Sequence, residues 1–211
     1  MAWLASFQLF LTLAARNDWP TDAFDFNSAY LNSILDDNDK IIYLEQPPHY
    51  KIMDHHHYVL KLKKILYGLK QGAKNWYDAL CKALADLGFW RTEADHGIVF
   101  KQIGPDAIIL AVHVDDCMIT GSSAILINQF KVEMNKIYKL TDLGAVHWLV
   151  GIKVTRDLPN HIISLSQHVY IKSIIMHFSF NDLKPSAIPM DPNIPLLKSQ
   201  SPMKLTNITQ M

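Results

Sequence analysis

The chain has 211 residues and no formal net charge at neutral pH, with 20 Lys and Arg against 20 Asp and Glu. That balance excludes a surface basic enough overall to bind nucleic acid non-specifically, and 49 % apolar residues exclude disorder as the global state. The length fits one domain or a domain and a half, and Cys81 and Cys117, without metal-type spacing, read as reduced thiols.

Residues 2–15 (AWLASFQLFLTLAA) predict a buried amphipathic helix, closed by the polar stretch 16–22. No Lys or Arg precedes this apolar run, which argues against a secretory leader, and it is too short to span a bilayer. FDFNSAYLN (24–32) reads as an aromatic strand entering a turn, and DDNDK (36–40) as a loop. IIYLEQPPHY (41–50) is a strand stopped by Pro47 and Pro48, and KIMDHHH (51–57) a loop. YVLKLKK (58–64) alternates as a half-buried strand does.

From Lys70 to Leu87 a helical period runs through Ala73, Trp76, Tyr77, Leu80, Leu84 and Leu87, and Gly88 is a natural stop. AIILAVHV (107–114) and CMITG (117–121) read as two strands of a hairpin whose turn holds Asp115 and Asp116. Ser122 or Ser123 can cap the next helix, with the stripe Leu126, Phe130, Met134 and Ile137. WLVGIKVTR (148–156) and HIISLS (161–166) form another hairpin, and a helix covers 168–178. The expected architecture is α+β, an antiparallel sheet carrying acids with helices on one face. The domain spans 1–185, and a Pro-, Ser- and Asn-rich tail fills 186–211.

Two adjacent carboxylates at a strand end repel each other and resist burial. Taken alone, Asp115 and Asp116 fit ordinary turn chemistry. If the strand of Asp25 is their neighbour, three carboxylates converge at one sheet edge and call for hard cations, for which Mg²⁺ is suited. A pair of such ions is a device for in-line phosphoryl transfer. Lysines 61, 63, 64, 70 and 74 form the clearest basic patch, fit to meet a nucleic acid or a triphosphate, or else simply a solvated face. His55–His57 lacks a zinc-type spacing.

Several segments, in order, resemble the reverse transcriptase domain of copia-type LTR retrotransposons. They are DFNSAYLNSIL, IYLEQPPHY, LKKILYGLKQGAKNWYDAL, LGFWRTEADHGIVF, LAVHVDDCMITGS and LTDLGAVHWLVGIKV, together spanning about residues 1–195. The resemblance implies a polymerase palm with a ferredoxin-like sheet and part of a thumb. It implies an RNA-directed DNA polymerase that transfers a dNTP to a primer 3′-hydroxyl, with Asp25, Asp115 and Asp116 as catalytic residues holding two Mg²⁺ (or Mn²⁺) ions. Tyr30 would be a ring beneath the incoming sugar that rejects a ribose 2′-hydroxyl, or else a core aromatic. Ala29 would keep the pocket floor open, Gln71 would touch the nucleotide's sugar, Lys70 and Lys74 would face template or triphosphate, and Gly151 would form a tight turn near the primer end. Trp148 and Leu149 read as core. The implied partners are an RNA template, a DNA primer, a dNTP and the rest of a Pol polyprotein (fingers, RNase H and integrase), with no membrane. The implied location is a cytoplasmic virus-like particle.

The sequence departs from the family pattern in three places. His113 stands where a tyrosine is usual before V-D-D, and Lys74 replaces an arginine, which loses the bidentate fork. The motifs also begin without a preceding basic fingers segment, so a truncated fragment that polymerises poorly is expected. The alternatives are a non-catalytic remnant acting as a binding module and, setting the resemblance aside, a small metal-dependent phosphatase or nuclease.

Overall fold

Strand β1 (Thr21–Phe26) puts Phe24 and Phe26 on one face and Ala23 and Asp25 on the other, by the two-residue period of a strand. Its neighbours repeat the alternation. In β6 (Asp106–His113), Ile108, Leu110 and Val112 share the face of Phe24, as do Cys117 and Ile119 in β7 (Asp116–Gly121). Ala111 and Met118 point the opposite way. Apolar residues on both faces mark a sheet covered on both sides.

A computed structural model describes residues 2–35, 41–55, 57–180 and 182. The expected loop at 36–40, His56 and the expected tail at 186–211 lie outside the described residues. The chain divides into two units, Met1–His168 and Val169–Met211.

The first unit is built on a six-stranded antiparallel sheet in the order β4-β5-β6-β7-β1-β8, completed by β4 (Trp90–Arg91), β5 (Ile98–Ile103) and β8 (Leu140–Ala145). β1 runs antiparallel to both β7 and β8, so those two are parallel to each other with β1 inserted between them. Helix α3 (Ala124–Ile137) makes that crossover. Likewise β1 and β6 flank β7 in parallel, and α2 (Gly72–Asp86) lies in the connection between them.

Trp76, Leu80 and Leu84 of α2 and Ile127, Phe130 and Met134 of α3 pack on the Phe24 face. Helix α1 (Leu4–Arg16) buries Phe7, Phe10, Leu11, Ala14 and Ala15, and Phe7, Phe10 and Leu11 pack against Ala23, Ala111 and Met118 on the other face. The expectation of helices on one face is therefore corrected: α2 and α3 share one side and α1 covers the opposite side. With no polar face left on β6 and β7, both sides must be shielded from water.

Long-range contacts close both ends of α1. The carboxylate of Asp95 accepts the Trp3 N–H at 2.8 Å and, through its second oxygen, the Gly97 N–H at 2.8 Å. Burial acts to raise the Asp95 carboxyl, but its bonds from Ser6, Trp3 and Gly97 hold it below the ordinary value. At the other end the Arg156 guanidinium donates to the Ala14 carbonyl at 3.2 Å and to the Trp19 carbonyl. Such cations satisfy carbonyls left over at a helix C-terminus. Arg156 lies on β10 (Ile152–Asp157), the middle strand of a second sheet ordered β11-β10-β9, with β9 (Trp148–Leu149) and β11 (Ile162–Ser166).

Helix α2 ends where expected. Gly88 takes φ +82°, and the Phe89 N–H reaches back to the Leu84 carbonyl at 2.9 Å, the C-terminal closure that glycine permits. Other expectations need revision. β3 (Val59–Lys61) pairs only with β2 (Tyr43–Glu45), and both are wholly exposed, so the alternation in YVLKLKK does not signal half-burial. Ser123 occupies the position before α3 but makes no side-chain cap; instead the Ser122 hydroxyl donates to Asp106 at 2.6 Å. Ile137 is exposed, and Lys131 joins the buried stripe of α3. LTDLGA forms strand β8, which was not expected. Leu149 is buried as predicted, but Trp148 is half exposed. The second unit holds most of α4 (His168–His177), close to its predicted span.

Candidate active site

The hairpin β6–β7 closes on the two residues Val114 and Asp115, because His113 pairs directly with Asp116. Asp115 is thus in the turn, and Asp116 is already the first residue of β7. Val114 takes φ +63°, a region that favours glycine and costs a β-branched residue roughly 1–3 kcal/mol. The turn is held from outside. The Trp76 indole N–H donates to the Val114 carbonyl at 2.8 Å, and the Phe26 N–H donates to the Asp115 carbonyl at 3.1 Å.

β1 brings Asp25 opposite Asp116 in register. Directly opposed residues of an antiparallel pair share a face, so Asp25, Asp116 and His113 form a row across three strands on the side that α1 covers. Like charges so placed repel. Partial burial raises the Asp25 carboxyl above its ordinary range, and the charges of Asp115 and Asp116 raise it further. The register sets Asp25 and Asp116 side by side with Asp115 in the adjoining turn, at strand ends in the middle of the sheet. Among the described residues no three acidic, His or Cys side chains close into a metal cage. An oxygen set of this kind fits a cation that takes only one or two carboxylates and completes its shell with water and substrate phosphates, as Mg²⁺ does.

The other predicted residues differ in how near they come to this row. Tyr30 is half-buried in a short 3₁₀ turn, Ala29–Asn32, that follows β1. Ala29 is fully buried in the core beside it, with no surface to offer a ligand. Gln71 is half-buried and immediately precedes α2; Lys70 and Lys74 are exposed, as are Lys61, Lys63 and Lys64. Lys74 shares a cavity of about 250 Å³ with Trp76, Tyr77, Val112 and Val114. Gly151 forms the tight β9–β10 turn with Val150, at φ +77° and +45°. It lines a cavity of about 220 Å³ together with Asp116, Cys117 and Trp148. The Cys117 thiol is pushed well up by complete burial and then by the neighbouring carboxylates, so it is unreactive. His113 is half-buried, tilted against Phe7 at 6.3 Å, and its Nδ1 has no partner among the described residues. His55 and His57 pack on Tyr58, at 4.5 and 4.7 Å between ring centres, instead of converging on a common point.

Tyr67 escaped the sequence reading. Its ring lies 4.5 Å from that of Tyr30. Burial raises its hydroxyl, followed by the charges of Asp115 and Asp25, which places it in the field of the same acids. The only signal for it was its position inside LYGLKQ. Trp76 was read as a core residue, and its bond to the turn needed the fold to become visible.

The fold thus gathers three carboxylates where β1 ends beside the turn of the β6–β7 hairpin. The chain belongs to the reverse transcriptase (RNA-dependent DNA polymerase) family, whose sequence model matches residues 1–192. It is 31 % identical over 200 residues to the Retrovirus-related Pol polyprotein from transposon TNT 1-94 of Nicotiana tabacum, covering 94 % of this chain and 15 % of that protein. It is 33 % and 31 % identical over 205 residues to the corresponding polyproteins from transposons RE1 and RE2 of Arabidopsis thaliana, covering 97 % of this chain and 14 % of each. The chain thus spans only a small part of the length of the relatives it matches.

Proposed function

We propose that this domain is the palm of an RNA-directed DNA polymerase, adding a dNTP to the 3′-hydroxyl of a DNA primer on an RNA template. The observation that carries the reading is the register that sets Asp25 opposite Asp116, with Asp115 in the adjoining turn. The strand order supports it. The order β6-β7-β1-β8, with α2 and α3 in the crossovers, is the one a ferredoxin-like palm would need.

Asp25, Asp115 and Asp116 would hold the catalytic cations. Divalent cations, when held there, would supply the means to lower the pKa of the primer hydroxyl and to neutralise charge on the triphosphate and leaving pyrophosphate. The protein's share is positioning. The sheet holds Asp25 and Asp116 at a set separation, and Trp76 braces the strained turn so that Asp115 does not drift. The in-line geometry needs that rigidity, since loose positioning forfeits much of the rate. Tyr30 would lie beneath the sugar, Gln71 would contact it, Lys70 and Lys74 would attract phosphate, and Gly151 would let the backbone approach the primer end. None of these residues acts as a covalent nucleophile.

Primer extension on poly(rA)/oligo(dT) tests the reading. Incorporation of dTMP is expected to be low, to need Mg²⁺ or Mn²⁺ and to disappear in Asp115→Asn, and incorporation unchanged in Asp115→Asn would overturn the reading.

A further inference from the structure

Steric rejection of a single hydroxyl demands a stiff surface. A ring that can retreat by an ångström no longer rejects anything. Tyr30 sits on a short 3₁₀ turn entered through Ser28 in the left-handed region, at φ +54°, which by itself is a yielding support. Its ring is braced from two sides. On one side lies the start of α2, where a Cβ added at Gly72 would stand 3.8 Å from the Tyr30 ring and 3.2 Å from Ile65 Cγ2. The start of α2 therefore lies within contact range of the ring, while the tight approach that favours a glycine there is to Ile65. On the other side lies Tyr67, tilted by 46° with ring centres 4.5 Å apart, inside the range for favourable aromatic pairs.

Tyr67 has no evident reason to be where it is for packing alone. It is 55 % exposed, outside both buried clusters of the sheet. Gly68, at φ +94° with open space around it, turns the chain sharply just after it. An exposed aromatic is thus held against Tyr30 by ring contact at 4.5 Å.

We propose that Tyr67 is a positioning residue that sets the discrimination between deoxyribo- and ribonucleotides by bracing the Tyr30 ring. This rests on the reading of Asp25, Asp115, Asp116 and Tyr30 as a nucleotide site. The ring of Tyr67 supplies most of the brace and its hydroxyl adds a bond to the Tyr30 backbone, so phenylalanine keeps the ring contact, whereas alanine leaves Tyr30 free to tilt away from a 2′-hydroxyl.

The test is to titrate dTTP and UTP, each with MgCl₂ and with poly(rA)/oligo(dT) present, into the full chain and its Tyr67→Ala, Tyr67→Phe, Tyr30→Ala and Asp25→Asn variants. A preference for dTTP is expected in the parent chain. Tyr67→Ala should reduce that preference roughly three- to tenfold, the scale of one aromatic pair, mainly by tighter UTP binding. Tyr67→Phe should retain it. A merely structural role would weaken both nucleotides alike and leave the ratio unmoved. A parent-like ratio in Tyr67→Ala, while Tyr30→Ala loses it, overturns the proposal and leaves the site reading intact. Nucleotide binding indifferent to Asp25→Asn overturns the site reading and the proposal with it.

Discussion

Val114 and Trp76 show how one residue's strain is met by another's hydrogen bond. A valine at φ +63° is retained because Trp76, 1 % exposed and 38 residues away in sequence, donates to its carbonyl. Trp76→Phe keeps an aromatic in the core but removes that donor. The expected cost is about 1–2 kcal/mol, from the lost hydrogen bond and a small cavity. Urea unfolding measures the cost, and amide hydrogen exchange should show Val114 and Asp115 opening faster while β1 is unchanged. Exchange at the turn equal to the parent's would show that Trp76 does not brace it. Asp25 illustrates the reverse relation, a carboxyl raised by burial and by two like charges, kept where it is unfavourable for stability. Perturbed carboxyls of this kind cluster at functional sites.

Between elements, the buried ammonium of Lys131 ties α3 to two strands. It reaches Asp22 on β1 at 2.6 Å and Asp142 on β8 at 2.7 Å. Burial works against the charged lysine, but its bonds to Asp142 and Asp22 raise it overall. Burial also acts to raise Asp142, yet its bonds from Lys131 and the Gly144 N–H hold it below the ordinary value. A lowered carboxyl contributes stability that is present above its ordinary value of 3.8 and is lost as pH falls through the lowered one. A raised lysine contributes stability that is present below 10.5 and is lost as pH climbs beyond it. The triad therefore helps across the neutral range. Lys131→Met should cost about 1–3 kcal/mol at pH 7, discounted because Asp142 is half exposed. Urea unfolding at pH 7 and pH 3 checks this: the deficit should shrink at pH 3, and an equal deficit at both would refute the ionic account.

On the scale of the first unit, one sheet carries two cores. Phe10 under α1 and Leu84 under α2 lie on opposite faces, each 2 % exposed. Since the same strands supply both faces, the two cores should unfold together. Phe10→Ala is expected to cost about 3–5 kcal/mol and Leu84→Ala about 2–5. In each variant the far-ultraviolet dichroism and tryptophan fluorescence transitions should coincide in urea. A separate early transition for Phe10→Ala would show α1 to be an independently melting cover.

Much of this was legible along the chain because it depends on local pattern. The periods of α1 and α2, the glycine stop at Gly88, the apolar strands around Asp115 and Asp116 and the turn at Gly151 all follow from side-chain spacing and from backbone freedom at single residues. The motifs that place the chain in its family are strings of neighbouring residues and are equally local. What needed tertiary structure was every relation across the sheet. A strand's period says that two faces exist but not which helix covers each, so the expectation of helices on one face misses the cover that α1 gives the other. The alternation of YVLKLKK says nothing of burial once its strand has only one partner. The union of Asp25 with Asp116, the bracing of Val114 by Trp76 and the pairing of Tyr67 with Tyr30 join residues 37 to 91 positions apart. Their proximity is set by strand order and register, quantities that no short window of sequence contains.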